Sequence, residues 1–242
     1  MVAPNTTRRS RRFVRWRMSK SPWKVYVLLT LMLISTVSSV RAGDLKNTGA
    51  INNTGQMRLK NAATGLPASN GGVYEFFGAN QTIPGRQYVD LKLSGTGTKT
   101  ADADGTVSGT LTVASGVTYD TGPFTTHLTG LVDEQGYVLG TMDKTMTLVG
   151  GSGSSTLGNI GTTISWSGAA PGNTLVVRKT GTAQTSVATG KSSIKRYYDI
   201  APATNAGLNA GLVFQYADAE LNGQNASTLS LWRSTDAGAT WR

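Results

Sequence analysis

The sequence predicts an all-β protein in two parts. A right-handed β-solenoid is expected over residues 43–145 and a β-sandwich over 146–242, behind an N-terminal signal-peptide helix at 1–42. Three observations carry this reading. Short alternations of apolar and polar residues recur along the chain, as in "YVDLKLSG", "TVSGTLTV", "ISWSG", "NTLVVRK", "AGLVFQYA" and "STLSLWR", and a period of two belongs to strands with one buried face. Gly, Asn-Gly and Asp-Gly turns separate them, while no sustained stripe at i, i+3, i+4 and i+7 marks a helix. Finally, Leu91 and Leu93 return 20 residues later as Leu111 and Val113, and more loosely as Leu128 and Leu131.

The leader comes first. Residues 1–42 hold nine of the 23 Lys+Arg and no acidic residue. The chain as a whole carries +10, but from Gly43 onward fourteen bases face thirteen acids, a net of +1. The basicity therefore belongs to the leader, and a nucleic-acid function loses its electrostatic footprint. The apolar run "VYVLLTLMLISTVSSV" at 25–40 is 16 residues long, short of the about 20 a spanning helix needs. It ends at "VRA", with small Val40 and Ala42 where a signal peptidase requires them, so cleavage is expected after Ala42. Met18 opens a leader of more ordinary length and is an alternative start. "SRRFVR" resembles a twin-arginine signal but stands twelve residues before the apolar run. Export implies transient contact with the inner membrane and its machinery, and a destination outside the cell or on its outer surface. The absence of cysteine excludes disulfides, thiolate metal sites and a cysteine nucleophile. A chain of about 200 residues buries enough apolar surface to do without them.

Next is the solenoid. Coils of about 20 residues stack so that each covers the apolar face of its neighbour. N-T-G recurs after six residues at Asn47–Gly49 and Asn53–Gly55, and both Asn and Gly tolerate the left-handed backbone of a tight corner. An antiparallel sandwich with accidental spacing is the alternative for this part. Beyond Met146, "GGSGSS" at 150–155 reads as a join or loop. Strand candidates then follow at 160–167, 173–180, 193–200, 211–217 and 228–233, at sandwich spacing. Trp166 and Trp232 lie in apolar strands and are expected in the core. A turn whose role is to reverse into another strand stands next to Arg242, so the reading expects a sandwich cut short there.

The order "GNIGTTISWSG", "SIKRYYDI", "GLNAGLVFQYADAELNG", "LSLWRSTDAGATW" resembles a repetitive β-rich module of large secreted bacterial surface proteins of the type IX secretion cargo kind. That resemblance implies an extracellular or cell-surface location and a structural or adhesive role.

Candidate chemistry is sparse. "STDAGATW" at 234–241 fits S-x-D-x-G-x-T-W, the Asp-box pattern best known from sialidase propellers. Its physics is that of a turn. Ser234 and Asp236 accept local backbone N–H groups, Gly238 permits positive φ, and Trp241 folds back onto the sheet. A propeller needs several such boxes, and the chain has one. His127, the single histidine, sits in the strand-like "FTTHLTG" without a G-x-S-x-G elbow. The carboxylate pairs Asp102/Asp104, Asp133/Glu134 and Asp218/Glu220 are the candidates for glycoside hydrolysis. "ADADGT" resembles part of a calcium loop but lacks further oxygen ligands at regular intervals. "SGTGTKT" at 94–100 lacks the Gly-Lys-Ser/Thr and helix of a phosphate loop. "IKRYYDI" interleaves bases and aromatics, and reads as a strand anchored by Ile194 and Ile200. No catalytic, cofactor or metal residue is assigned and no cofactor is expected. The leading expectation is a non-enzymatic structural or adhesive segment of a bacterial surface protein, meeting extracellular polysaccharide or protein but no nucleic acid. A polysaccharide-binding accessory module is the alternative, and a hydrolase stands third.

Overall fold

The computed structural model describes residues 55–61, 66, 71–184 and 192–242. The leader, with Val40, Ala42 and Met18, and the first N-T-G lie outside these residues. The chain is all-β, and its first part is a β-solenoid of about four turns built on parallel strands. Strand β1 (Gln56–Leu59) precedes the turns. The first turn holds β2 (Val73–Phe76), β3 (Gln81–Ile83) and β4 (Gln87–Tyr88). The second holds β5 (Asp90–Leu93), β6 (Gly97–Ala101) and β7 (Gly105–Val107). The third holds β8 (Thr110–Val113) and β9 (Val117–Leu128), and the fourth β10 (Leu131–Glu134) and β11 (Tyr137–Leu148). One sheet runs β1-β2-β5-β8-β10 and is parallel throughout. The facing sheet stacks β3, β6, β9 and β11, with β4 and β7 continuing onto the far half of β9.

The alternation seen in the sequence becomes ladders of inward side chains. Tyr74, Leu91, Leu111 and Val132 share one register column, and Phe76, Leu93, Val113 and Glu134 the next. All but Glu134 are buried in one hydrophobic core. The 20-residue return of Leu91/Leu93 as Leu111/Val113 is thus a true rung. The looser third member is not. The next turn is one residue longer, so Val132 takes the inward place and Leu131 stands 52% exposed. Leu128 instead stacks on Val107 in the facing sheet.

In the third and fourth turns the corner of the facing sheet is absorbed into 12-residue strands. The register between β9 and β11 shifts between Leu139 and Thr141, a bulge that bends the strand without ending it. Gly140 makes this possible. Its φ is +103°, and a Cβ there would sit 2.1 Å from the Thr121 hydroxyl.

The later strands are antiparallel and fall into two sheets. β12 (Gly153–Ser155) and β13 (Thr162–Trp166) pair with each other. β14 (Gly172–Thr180) and β15 (Arg196–Pro202) continue the solenoid's own sheet outward from β11. β16 (Ala210–Phe214) completes a three-stranded sheet on β13. The expected division at 145 therefore falls inside β11, because that strand pairs parallel on one side and antiparallel on the other. Trp166 is buried as expected, its indole N–H donating to Gly150 O at 3.0 Å. The segment 228–233 corrects the sequence reading: it forms no strand, and Leu231 and Trp232 are exposed. Alternation alone does not make a strand without a neighbour to accept its hydrogen bonds.

Candidate functional site

A solenoid leaves backbone groups unpaired wherever the chain turns a corner, and buried backbone groups require partners. Here several polar side chains, among them the Asp102/Asp104 pair singled out in the sequence, serve that need. Asn80 Oδ1 accepts Thr98 N, Asp90 Oδ1 accepts Thr110 N, and Asp104 Oδ1 accepts Thr125 N, at 2.9, 2.7 and 2.8 Å. Asp102 reaches in the other direction, to Gly85 N at 2.7 Å. Each bond joins one coil to the next. Asp102 and Asp104 are therefore corner ties to two different turns. Among the described residues no cluster of three or more His, Cys, Asp or Glu side chains is placed to hold a metal.

The carbonyls are served by cations. Lys99, fully buried, donates its ammonium to Gly78 O, Ala79 O and Thr96 O at 2.5, 2.7 and 3.3 Å. Lys144, also buried, donates to Thr129 O and Gly130 O at 2.7 and 2.6 Å. Burial lowers the pKa of both lysines. Neither appears as a buried lysine in the sequence pattern, since each occupies an inward position of an otherwise apolar alternation.

The remaining carboxylate pairs also separate. Glu134 ends the Phe76–Leu93–Val113 column and takes a two-pronged bond from Arg178, whose Nη1 lies 2.6 Å from Oε2 and whose Nη2 lies 3.3 Å from Oε1. Arg178 is 1% exposed, and Glu134 Oε1 also accepts Val138 N at 2.9 Å. Asp133 accepts the Gln135 amide at 3.3 Å. Glu220, buried, pairs with Arg196, Nη2 to Oε1 at 2.8 Å, and accepts Ala217 N at 2.9 Å. The Arg178–Glu134 pair thus fastens the antiparallel part onto the last coil, while Arg196–Glu220 ties that part together, and neither carboxylate is left without a partner.

A further charge ladder lies on the outer face of the first sheet. Glu75 sits between Arg58 and Lys92 in register, at 2.6 and 3.1 Å. Its burial pushes the carboxyl pKa up, but bonds from Ser94, Lys92 and Arg58 outweigh that and leave it lowered.

His127 faces Asp143 across β9 and β11, with Nδ1 2.9 Å from both carboxylate oxygens. Two members of a relay are thus adjacent, but no hydroxyl hydrogen-bonds the imidazole among the described residues. The "IKRYYDI" stretch divides by face. Arg196 and Tyr198 turn inward, Tyr198 donating to Gly161 O at 2.8 Å, while Tyr197 lies outward with the Lys179 ammonium 5.5 Å from its ring centre.

The 234–241 turn is knit by its own side chains. Ser234 Oγ accepts Gly238 N at 2.8 Å, and Asp236 accepts Thr240 N at 2.9 Å and the Thr240 hydroxyl at 2.6 Å. Those bonds from Thr240 and one from Ser234 hold the Asp236 pKa at about 2. Gly238 adopts φ +88°. Arg233 and Arg242 close the turn with a reciprocal backbone pair. Trp241 folds over the turn itself, its indole N–H donating to Gly238 O at 3.1 Å; the sequence reading had placed it on a sheet.

What stays free is the outer surface of the facing sheet. Thr82, Thr100 and Asp120 form one outward column, and Thr98 and Thr118 a second. A shallow depression of about 320 Å³ lies among Asn80, Gln81, Thr82, Thr98 and Thr100. The spacing of hydroxyls up these columns is fixed by strand pairing at about 4.8 Å. No family model matches the chain, and no curated protein or solved structure matches it either.

Proposed function

We propose that this chain is an exported, non-enzymatic structural segment of a bacterial surface protein, adhering through its outer β-face. The observation that carries the reading is the register-locked set of hydroxyls at Thr82, Thr98, Thr100 and Thr118. A face of this kind offers many weak, geometrically repeated hydrogen bonds and little net charge. Such contacts gain strength by number, not by any single site. The commitment of Asp102, Asp104, Glu134 and Glu220 to their own fold supports a scaffold over a hydrolase. The basic, apolar and small-residue sections of the leader support export.

Two experiments test this. The protein isolated from its native host should begin at Gly43, whereas an intact Met1 on a cytosolic molecule overturns the export reading. The full chain carrying Thr82→Val, Thr98→Val and Thr100→Val keeps β-branched shape but loses the hydroxyls. Its adsorption to a hydroxylated matrix such as cross-linked dextran should fall severalfold. Undiminished adsorption, or turnover of the polymer, contradicts the proposal.

A further inference from the structure

A different place in the fold carries uncommitted polar groups. Between β12 and β13 the chain makes a three-residue turn at Leu157–Asn159. All three residues lie in the left-handed region, with φ of 50°, 71° and 64°. Outside glycine this conformation is costly, and a buried leucine is a poor choice for it. Such strain persists only where surrounding structure enforces it. Here it is enforced by burial: Leu157 and Ile160 are fully enclosed in the core. The effect is to hold Asn159 at the rim of a recess of about 180 Å³, lined by Thr156, Asn159, Gly161, Thr162, Thr163 and Gln215.

The walls of this recess are fixed. Gly161 O accepts both Gln215 N and the Tyr198 hydroxyl at 2.8 Å, and the Thr162 hydroxyl donates to Val213 O at 3.2 Å. The side chains of Thr156, Asn159, Thr163 and Gln215, by contrast, make no side-chain hydrogen bond among the described residues. They are exposed or half-exposed and converge on one space. The solenoid's Asn80, Asp90, Asp102 and Asp104, by comparison, are each bonded to backbone of a neighbouring coil.

We propose that this recess is a binding site for one neutral sugar unit. Two hydroxyls and two carboxamides each offer both a donor and an acceptor, which is the pattern presented by a ring of sugar hydroxyls. No ionised side chain lines the space, so nothing there rewards a phosphate or carboxylate. The nearest cation, Arg196, lies behind Gly161 and is neutralised by Glu220. The lining is too polar for a lipid, and the volume suits a single ring. A preformed wall lowers the ordering cost of binding. This site is independent of the outer threonine face.

The test uses the full chain and a panel of glucose, galactose, N-acetylglucosamine and their short β-linked oligomers, read by saturation-transfer NMR. Saturable binding by at least one of them is expected, at about millimolar affinity. Asn159→Gly keeps the left-handed backbone while deleting the amide, and Gln215→Ala deletes the facing one. Together they should weaken binding at least tenfold, with the denaturation midpoint unchanged as the check on folding. The Thr98→Val/Thr100→Val pair should leave saccharide binding unaltered, which separates this site from the outer face. Absence of saturable binding across the panel, or equal binding by the Asn159→Gly/Gln215→Ala chain, overturns the proposal. Binding to oligomers but not to single sugars would still support it, provided the same two substitutions abolish it.

Discussion

Leu111 is the central rung of an inward column, in register with Leu91 on one side and Val132 on the other. Leu111→Ala removes three carbons from a side chain with no exposure. At about 0.8 kcal/mol per buried carbon, the transfer loss is about 2.4 kcal/mol. The cavity adds to it, because strand pairing holds Leu91 and Val132 at fixed spacing and prevents collapse into the gap. The expected total is about 3–4 kcal/mol, within the range for buried Leu→Ala changes. In urea this lowers the midpoint by roughly 1–2 M at unchanged slope. The matched control is Leu131→Ala, one residue from the Val132 rung but on the outer face, which should cost no more than about 0.5 kcal/mol. A one-residue slip in register exchanges the two faces of the strand. If Leu131→Ala proves the more damaging of the two, or Leu111→Ala costs under 1 kcal/mol, the fourth coil is not where it has been placed.

Three further outcomes follow from the same packing. Glu134→Gln leaves the buried Arg178 guanidinium without its counter-charge and should cost about 3–5 kcal/mol, whereas the double change Glu134→Leu/Arg178→Met should recover most of the loss; paired urea melts read both. Gly140→Ala places a Cβ against the Thr121 hydroxyl at a φ that disfavours any side chain, and should lower the unfolding free energy by about 2 kcal/mol or more, read from a urea melt. At alkaline pH, burial raises the pKa of Tyr74, Tyr88, Tyr119, Tyr137 and Tyr198. The unfolded chain ionises its tyrosines first, so stability should fall once pH exceeds about 10. Lys99 and Lys144, with depressed pKa values, push the other way and only below about pH 10.4. The urea midpoint at pH 11 should therefore lie clearly below that at pH 9.5, and a rise would contradict the assignment of buried tyrosines.

The solenoid was legible because its strongest signal, the Leu91/Leu93 to Leu111/Val113 return, spans one coil that keeps both inward positions apolar at each end. It faded in the next coil for a physical reason. One added residue shifts the rung to Val132, and the column beside it ends in Glu134, whose charge Arg178 neutralises. Nothing local marks such an exchange, since the two partners stand 44 residues apart. The corner ties were hidden for the same reason. Asp102, Asp104 and Asn80 bond backbone 17 to 21 residues away, so their sequence neighbours give no clue. The turn at 234–241 was readable because Ser234, Asp236 and Gly238 act on groups no more than four residues distant. Residues 228–233 show the limit of alternation as a signal, for Trp232 is exposed where the pattern placed it inside. The recess at Thr156–Thr163 and Gln215 had no charge, motif or aromatic to announce it. Its one trace is the Gly158–Asn159 step, which permits the left-handed turn.

Cross-linking in the cysteine-free chain tests the stacked register most directly. Thr100 and Asp120 are lateral neighbours in adjacent coils, with a Cα separation of about 4.8 Å that suits a disulfide. Thr82 and Asp120 stand two rungs apart, at about 9.6 Å, beyond the reach of one. Under mild oxidation, Thr100→Cys/Asp120→Cys should close quantitatively within one chain while Thr82→Cys/Asp120→Cys stays reduced. Closure of the second pair in preference to the first would contradict the solenoid on which every other conclusion stands.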